Sequence, residues 1–490
     1  MRRSRHSVLL PLGPDPRVTA PTLWLQPLTG QAALLEPAEA ALLLRLEGEP
    51  AAAAGLPLAR LQELGFLVAD DAHEARLLAD ARQLFAAELA KTPTQLLVVP
   101  TLGCNLRCRY CYQEGAVTPG GGLLDEEQLA SLFAFLDAHH LAAKPRPYLT
   151  LFGGEPLLDT PRQRALLQRF FALASQRGLE VAVVTNGYEL AAYLPLLASH
   201  RVREVQVTLD GPQPLHDQRR PHGSGRGSYQ QVVEGIDLLL AAGLRVNLRV
   251  VVDRENLPAL PDLARLAEQR GWLDAPAGLF QTQLGRNYEL FSCTGQRQAD
   301  PSLLYDRLTL WADYLQLAAA DPLLRRFHTP RLHGLRHLAE QGELPPPLFD
   351  GCPATKKEWA FGPDGGIYGC TATVGHPAHR LGSYHPTVQL DEERIARWRG
   401  RSVFTIPECA GCEVAAFCGG GCGALAAELH DGEVRAPDCR PIRELLTLGA
   451  RFYGLAAPPA PPARPSPRVP RPARIVGQRG KSGPTSPGAV

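Results

Sequence analysis

Between Gln95 and Arg254, short aliphatic runs alternate with amphipathic ones, and this alternation constrains the fold more than any other feature of the 490-residue chain. Leu96 to Val99, Tyr148 to Phe152, Val181 to Thr185, Val205 to Leu209 and Leu244 to Val251 are rich in β-branched or aliphatic side chains, which predicts strands. Between them Leu166, Leu167, Phe170 and Phe171, then Val232, Ile236 and Leu239, recur at helical spacing and mark one buried face each. Repeated strand–helix units join as right-handed crossovers, giving a parallel sheet with helices outside and ligands at the carboxyl ends of the strands.

The flanks read differently. Residues 22 to 68 alternate short strands with helical spacing: Leu23 and Leu25, a Thr29-Gly30 turn, then Leu42, Leu43 and Leu46, then Leu58, Leu61 and Leu64 before Gly65. A charged, Ala-rich helix from Ala72 to Lys91 follows, and Pro93 closes it. Residues 301 to 341 read as two helices. Past Tyr453 the chain is Pro, Ala, Arg, Gly and Ser with almost no apolar anchors, which predicts disorder. The expected organisation is an α+β unit over 1–92, an α/β core over 93–300, bridging helices over 301–345, a cysteine-rich domain over 346–455 and a tail over 456–490.

Charge excludes one function class. The chain has 51 basic and 50 acidic residues, but six of the basic ones (Arg464, Arg468, Arg471, Arg474, Arg479 and Lys481) lie in a tail without acids. The remainder therefore carries 45 against 50, a net −5, and presents no global basic patch for nucleic acid. No run of about 18 apolar residues spans a bilayer. Arg2 and Arg3 weakly resemble a twin-arginine signal, but Val8 to Pro11 is too short an apolar stretch, so the expected location is the cytoplasm. In that reducing compartment, clustered cysteines point to metal rather than to disulfides.

The eleven cysteines are clustered. After the first core strand comes Cys104-Asn-Leu-Arg-Cys108-Arg-Tyr110-Cys111, three thiolates from one loop with no fourth nearby, unlike paired CxxC zinc sites. The next strand ends in Gly153-Gly154-Glu155-Pro156, where glycine lets backbone groups approach a ligand closely. Thr185-Asn186-Gly187 and Thr208-Leu-Asp210-Gly211-Pro212 end the following two strands, and His216-Asp217-x-x-Arg220 follows. Together these motifs resemble the radical S-adenosylmethionine (radical SAM) superfamily. The resemblance implies a partial (β/α)6 barrel, a [4Fe-4S] cluster on Cys104, Cys108 and Cys111, and S-adenosylmethionine held by the Gly153–Pro156 motif with Tyr110, Thr185, Asn186, Thr208 and Asp210. For each of the polar residues a purely structural cap or turn is the competing reading.

The second group runs Cys352, Gly365, Cys370, Cys409-x2-Cys412-x5-Cys418-x3-Cys422 and Cys439. This spacing resembles the SPASM domain of radical SAM maturases. It implies two auxiliary [4Fe-4S] clusters, one on Cys352, Cys370 and Cys422, the other on Cys409, Cys412, Cys418 and Cys439, making three clusters in all. A zinc ribbon is the alternative for Cys409 to Cys422. The eleventh cysteine, Cys293, is either the missing ligand of the first auxiliary cluster or a small buried hydrophobe.

The implied chemistry is reductive cleavage of S-adenosylmethionine to a 5′-deoxyadenosyl radical that oxidatively modifies a substrate, with a donor such as flavodoxin or ferredoxin supplying the electron. SPASM proteins mostly act on peptides or proteins. The N-terminal unit resembles the recognition element of ribosomal-peptide maturases, with a ligand-free capping domain as the other reading. The sequence leaves the catalytic base unassigned. One alternative is an anaerobic sulfatase-maturating enzyme, although Thr371 stands where that family has an acid after the cysteine matching Cys370. The other is a non-catalytic iron–sulfur or zinc protein, which would have no use for Glu155 at a strand end.

Overall fold

The structure, a computed structural model, describes residues 1–13, 21–45, 58–113, 122–287 and 301–455. The expectations for Leu46, Cys293 and the 456–490 tail fall outside these residues. What is described within 1–456 belongs to one compact unit.

At the N-terminal end, β1 (Arg2–Arg3) pairs antiparallel with β5 (Leu67–Val68), while β2 (Val8–Pro11), β3 (Thr22–Gln26) and β4 (Gln31–Leu35) form an antiparallel sheet in that order. The apolar segment 8–11 is therefore a strand, a role its brevity concealed. Three helices accompany these strands: α1 (Pro37–Arg45), α2 (Leu58–Glu63) and α3 (Asp71–Lys91). Asp70 caps α3 by accepting from the His73 amide. In its first turn Glu74 is buried beneath Arg2, Arg5 and Ser4, all of which donate to it. One face of the sheet packs Leu9, Trp24 and Leu35 with Leu61 and Phe66. Its other face, Val8, Leu10, Leu23 and Leu25, closes on Leu335, Leu338, Ile442 and Leu446, so the unit is welded to the C-terminal helices.

The core alternates as the sequence predicts: β6 (Gln95–Val98), α4 (Glu126–His139), β7 (Tyr148–Leu151), α5 (Pro161–Gln176), β8 (Val181–Thr185), α6 (Leu190–Ala198), β9 (Val202–Thr208), α7 (Gln213–Arg219), α8 (Tyr229–Ala241), β10 (Val246–Val252), α9 (Leu260–Gln269) and β11 (Phe280–Arg286). Strands β6 to β11 are parallel neighbours in chain order. Their outward side chains, such as Leu96, Leu149, Val205 and Leu248, pack on the helices. The region 301–341 holds three helices rather than two: α10 (Arg307–Ala320), α11 (Leu323–Phe327) and α12 (Leu335–Gln341).

The cysteine-rich segment does not form a separate layer. Its strands β12 (Glu358–Phe361), β13 (Gly366–Tyr368), β14 (Arg380–Ser383) and β15 (Gln389–Leu390) continue the core sheet, β12 lying parallel to β6 and the rest antiparallel beyond it. Four helices complete the unit: α13 (Glu392–Arg399), α14 (Ala415–Cys418), α15 (Gly423–Leu429) and α16 (Ile442–Phe452).

Alternation along the strands sorts the inner wall. Leu97, Val99, Phe152, Ala360 and Tyr368 make its apolar part. On β9 and β11 the inner wall is polar, with Gln206 Nε2 donating to Gln283 at 2.9 Å and Gln281 Nε2 to Glu204 at 3.1 Å across β10.

Candidate functional site

Cys104, Cys108 and Cys111 lie on the loop that leaves β6 at its carboxyl end. A segment distant in sequence clamps that loop. Leu106 bridges to His222, the Arg107 amide donates to Pro221 O at 2.8 Å, and the Gly223 amide donates to Asn105 O at 2.7 Å. Cys104 and Cys108 are half-buried and Cys111 is exposed. The Cys104 Sγ accepts from the Leu106 amide at 3.4 Å and from Asn186 Nδ2 at 3.7 Å. Burial, followed by the neighbouring Glu155 carboxylate, pushes the Cys104 thiol up to about 12, and burial likewise raises Cys108 against the pull of Arg220. Thiols this costly to ionise alone fit a cationic iron core that stabilises thiolates.

The Gly153–Pro156 turn sits directly beneath this loop. A Cβ on Gly153 would meet Thr101 O at 2.4 Å, and one on Gly154 would meet Gly103 O at 2.3 Å. The close approach the glycines permit is thus to the cysteine loop itself, and Gly153, at φ +141°, needs glycine for its conformation as well. Glu155 is buried. It accepts from the Leu157 amide at 2.8 Å, Thr185 Oγ1 at 2.7 Å and the Asn186 amide at 2.6 Å, yet burial still lifts its carboxyl to about 7. Pro156 is buried beside it, its carbonyl accepting from Gln163 Nε2 at 2.6 Å. Asn186 also reaches Asn105 Oδ1 at 2.7 Å, so the sequence motifs ending β6, β7 and β8 converge on Cys104.

The motifs after β9 do something else. Thr208 is buried at its end, but Asp210 is fully withdrawn and spends both oxygens on protein: one accepts from the Tyr110 hydroxyl, the other from the Val251 amide at 2.9 Å. Tyr110 in turn accepts from Arg220 Nη1 at 2.6 Å. His216 Nδ1 accepts from the Asp210 amide at 3.1 Å, and Asp217 Oδ1 accepts from the Ser228 and Tyr229 amides, capping α8. The sequence reading missed Arg219, which lies 2.8 Å from both Asp253 and Glu255 and 3.8 Å from Asp210. Its only sequence signal is adjacency to Arg220.

The seven C-terminal cysteines fall into two neighbourhoods. The thiols that raise Cys370 are Cys352 and Cys422; those that raise Cys409 are Cys418, Cys412 and Cys439, in both cases after burial itself. Burial pushes Cys409 up to about 11. Amides point at the sulfurs, those of Ala354 and Gly423 at Cys352 and that of Gly420 at Cys418, which suits iron–sulfur ligation. Between the two groups Gly419, Gly420 and Gly421 are all left-handed, at φ +65°, +77° and +76°. Among the described residues no three side chains converge as ligands of a single metal ion; the thiols form neighbourhoods, not a preformed single-ion sphere. Beside Cys370, Glu358 shares the inward face of β12 with Ala360 and takes the Thr371 amide, and burial raises it to about 7.

Residues 98–267 match the family described as the Radical SAM superfamily. A GTP 3′,8-cyclase of Rhizobium meliloti (strain 1021) is 33% identical over 204 residues, 41% of this chain and 56% of that protein, so the chain spans about half the length of this relative. Native anSMEcpe with bound AdoMet superposes with a TM-score of 0.56 at 17% identity, covering 74% of this chain and 99% of the other. Streptococcus suis SuiB bound to precursor peptide SuiA gives 0.50 at 13% identity, covering 89% and 98%. Among the described residues no helix is long and apolar enough to cross a membrane. The strand-end motifs around Cys104 and the family match lead to one conclusion: this chain carries a radical SAM domain.

Proposed function

We propose that this chain is a radical SAM oxidoreductase that modifies a peptide or protein, in the first place a ribosomally made precursor peptide. The observation that carries this reading is the second cysteine region. Its first thiol neighbourhood flanks strands that extend the core sheet beyond β6, Cys352 preceding β12 and Cys370 following β13, while Cys409, Cys412, Cys418 and Cys439 gather in the segment that follows β15. The peptide complexes of SuiB and anSMEcpe support a peptide substrate. The cyclase relatives support a nucleotide instead, and a turnover assay with GTP separates the two.

In this reading Cys104, Cys108 and Cys111 hold one [4Fe-4S] cluster, and Cys352, Cys370 and Cys422 with Cys409, Cys412, Cys418 and Cys439 hold two more. Gly153, Gly154, Glu155 and Pro156, with Thr185, Asn186 and Thr208, receive S-adenosylmethionine. When bound, cluster and cosubstrate supply one-electron cleavage of the sulfonium, yielding methionine and a 5′-deoxyadenosyl radical that takes a substrate hydrogen atom. The chain positions and excludes water: Asp210 and Arg220 fix the Tyr110 ring beside the cysteine loop, and Glu155 locks the loops after β7 and β8 together. β4, an edge strand among the described residues, offers backbone groups to which a leader peptide adds as a further strand. An acidic electron carrier such as flavodoxin or ferredoxin, a cytoplasmic location and the domain limits 1–92, 93–300, 301–345, 346–455 and 456–490 complete the proposal.

One observation favours sulfatase maturation as a second reading. Glu358, bonded to the Thr371 amide, supplies an inward carboxylate beside the position where Thr371 lacks one. Anaerobic reconstitution with iron and sulfide, reduction, and incubation with S-adenosylmethionine tests the main proposal. It predicts 5′-deoxyadenosine from the wild type and none from Cys104→Ala; an iron-loaded wild type that makes none contradicts it. Formylglycine in a sulfatase peptide, read by mass, selects the second reading.

A further inference from the structure

Arg401 is fully buried, and its guanidinium is spent on backbone carbonyls: Nε donates to Val434 O at 2.6 Å, Nη1 to Gly421 O at 3.1 Å, and Nη2 to Ala436 O at 3.1 Å and to Gly420 O. A guanidinium remains charged in proteins. Carbonyls satisfy its hydrogen bonds but bring no countercharge, and burying a charge without one is costly. Two cations near it are balanced. Lys356 lies 2.6 Å from Asp350, and Arg440 lies 2.9 Å from Asp438. Among the described residues Arg401 forms no ion pair.

Its position explains what would balance it. The two carbonyls it grips at Gly420 and Gly421 belong to the left-handed loop between Cys418 and Cys422, one cysteine from each thiol neighbourhood. Ala436 leads to Cys439. A Cβ on Gly423 would meet Cys352 Sγ at 3.2 Å and Arg401 Cδ at 3.4 Å, so the arginine stem and the Cys352 sulfur crowd one point. One buried cation therefore faces both sets of thiols, and a four-iron cluster with thiolate ligands carries net negative charge, one of the quantities that set its potential.

We propose that Arg401 is the shared counter-ion of the two auxiliary iron–sulfur sites, a positioning residue that holds the Cys418–Cys422 loop and raises the reduction potential of both. This rests on reading the seven cysteines as iron–sulfur ligands. EPR-monitored redox titration of the anaerobically reconstituted full chain tests it. In Arg401→Gln the auxiliary signals reduce at more negative potential, so that at the wild-type midpoint the reduced-to-oxidised ratio falls at least tenfold, about 59 mV for a one-electron couple. Arg401→Lys, which keeps the charge, stays within twofold of wild type, and the signal that responds to S-adenosylmethionine is unmoved in both. Where Arg401→Gln loses iron, Ile406→Glu provides the second handle. The Ile406 Cδ1 and Arg401 Nη1 approach the same point over Gly420, 2.7 and 3.3 Å from a Cβ built there, and a carboxylate at that place neutralises the arginine without removing it. It shifts the potential the same way. An iron-replete Arg401→Gln or Ile406→Glu with an unchanged potential overturns the proposal, as does an Arg401→Lys shifted as far as Arg401→Gln. About four irons in the wild type would instead remove the auxiliary sites themselves, a separate failure.

Discussion

Arg219 and Arg401 are the most deeply buried cations among the described residues, and they sit in opposite electrostatic settings. Arg219, beneath the first cysteine loop, meets three carboxylates, Asp210, Asp253 and Glu255. Arg401, between the C-terminal thiol groups, meets carbonyls and no acid. In the first region protein carboxylates balance Arg219, and the network around it braces Tyr110 and the loop from behind while Cys111 stays exposed. The second is sterically closed, by three left-handed glycines, but leaves a charge that anionic clusters would answer. On the proposed function, the first loop would admit a cosubstrate and an electron and can be braced only from one side, whereas the C-terminal segment would be wrapped around groups it keeps.

The contrast can be broken at several strengths. Cys104→Ala abolishes 5′-deoxyadenosine formation while the C-terminal iron is retained, as measured by product analysis beside iron and sulfide counts. Arg219→Met leaves Asp210 and Asp253 buried without their cation and destabilises the fold by about 3–5 kcal/mol in urea unfolding, since removing one partner of a buried pair strands the other. Gly421→Ala forces a non-glycine residue to φ +76° and a Cβ to 2.3 Å from Asp438 O. The cost is about 1–3 kcal/mol of backbone strain, with loss of C-terminal iron before loss of the SAM-responsive signal.

The smallest effect is on pH dependence. Burial, and secondarily Arg220, depress fully buried His216 to about 3, whereas in the unfolded chain it titrates near 6.5. As pH falls from 6.5 towards 3 the unfolded state binds a proton that the folded state refuses, so stability declines across that window. The decline should flatten in His216→Gln, and an equal slope in wild type and variant would show that this histidine is not its source.

Much of the core was legible because its strands are buried on their outer face. β6 to β10 read as aliphatic runs, and four of them were located within about two residues of their observed limits. β11 was not, because its inward positions Gln281 and Gln283 are polar and reach over β10 to Glu204 and Gln206; a strand with one face on a wet interior lacks the aliphatic run. β12 to β15 are too short to announce themselves, and that they extend the barrel sheet depends on β12 pairing with β6, which no local pattern encodes. In the site, the cysteine loop and the Gly153–Pro156 turn stand out because each is contiguous in sequence, and the fold packs the one against the other. Asp210 was read as a ligand contact, but the fold turns its oxygens to Tyr110 and Val251. Arg401 could not be seen at all, because its role exists only where residues 420–421 and 434–436 are brought together around it.

The central claim is that the cysteines divide into a radical-generating three and an auxiliary seven. Iron analysis with EPR of the dithionite-reduced full chain, compared with a variant carrying Cys104→Ala, Cys108→Ala and Cys111→Ala, tests it most directly. The account predicts roughly twelve irons in the wild type and roughly eight in the variant, as three and two four-iron clusters require, with the SAM-responsive signal lost and the others kept. Equal iron in both proteins, or stoichiometric zinc in place of the C-terminal iron, would contradict it.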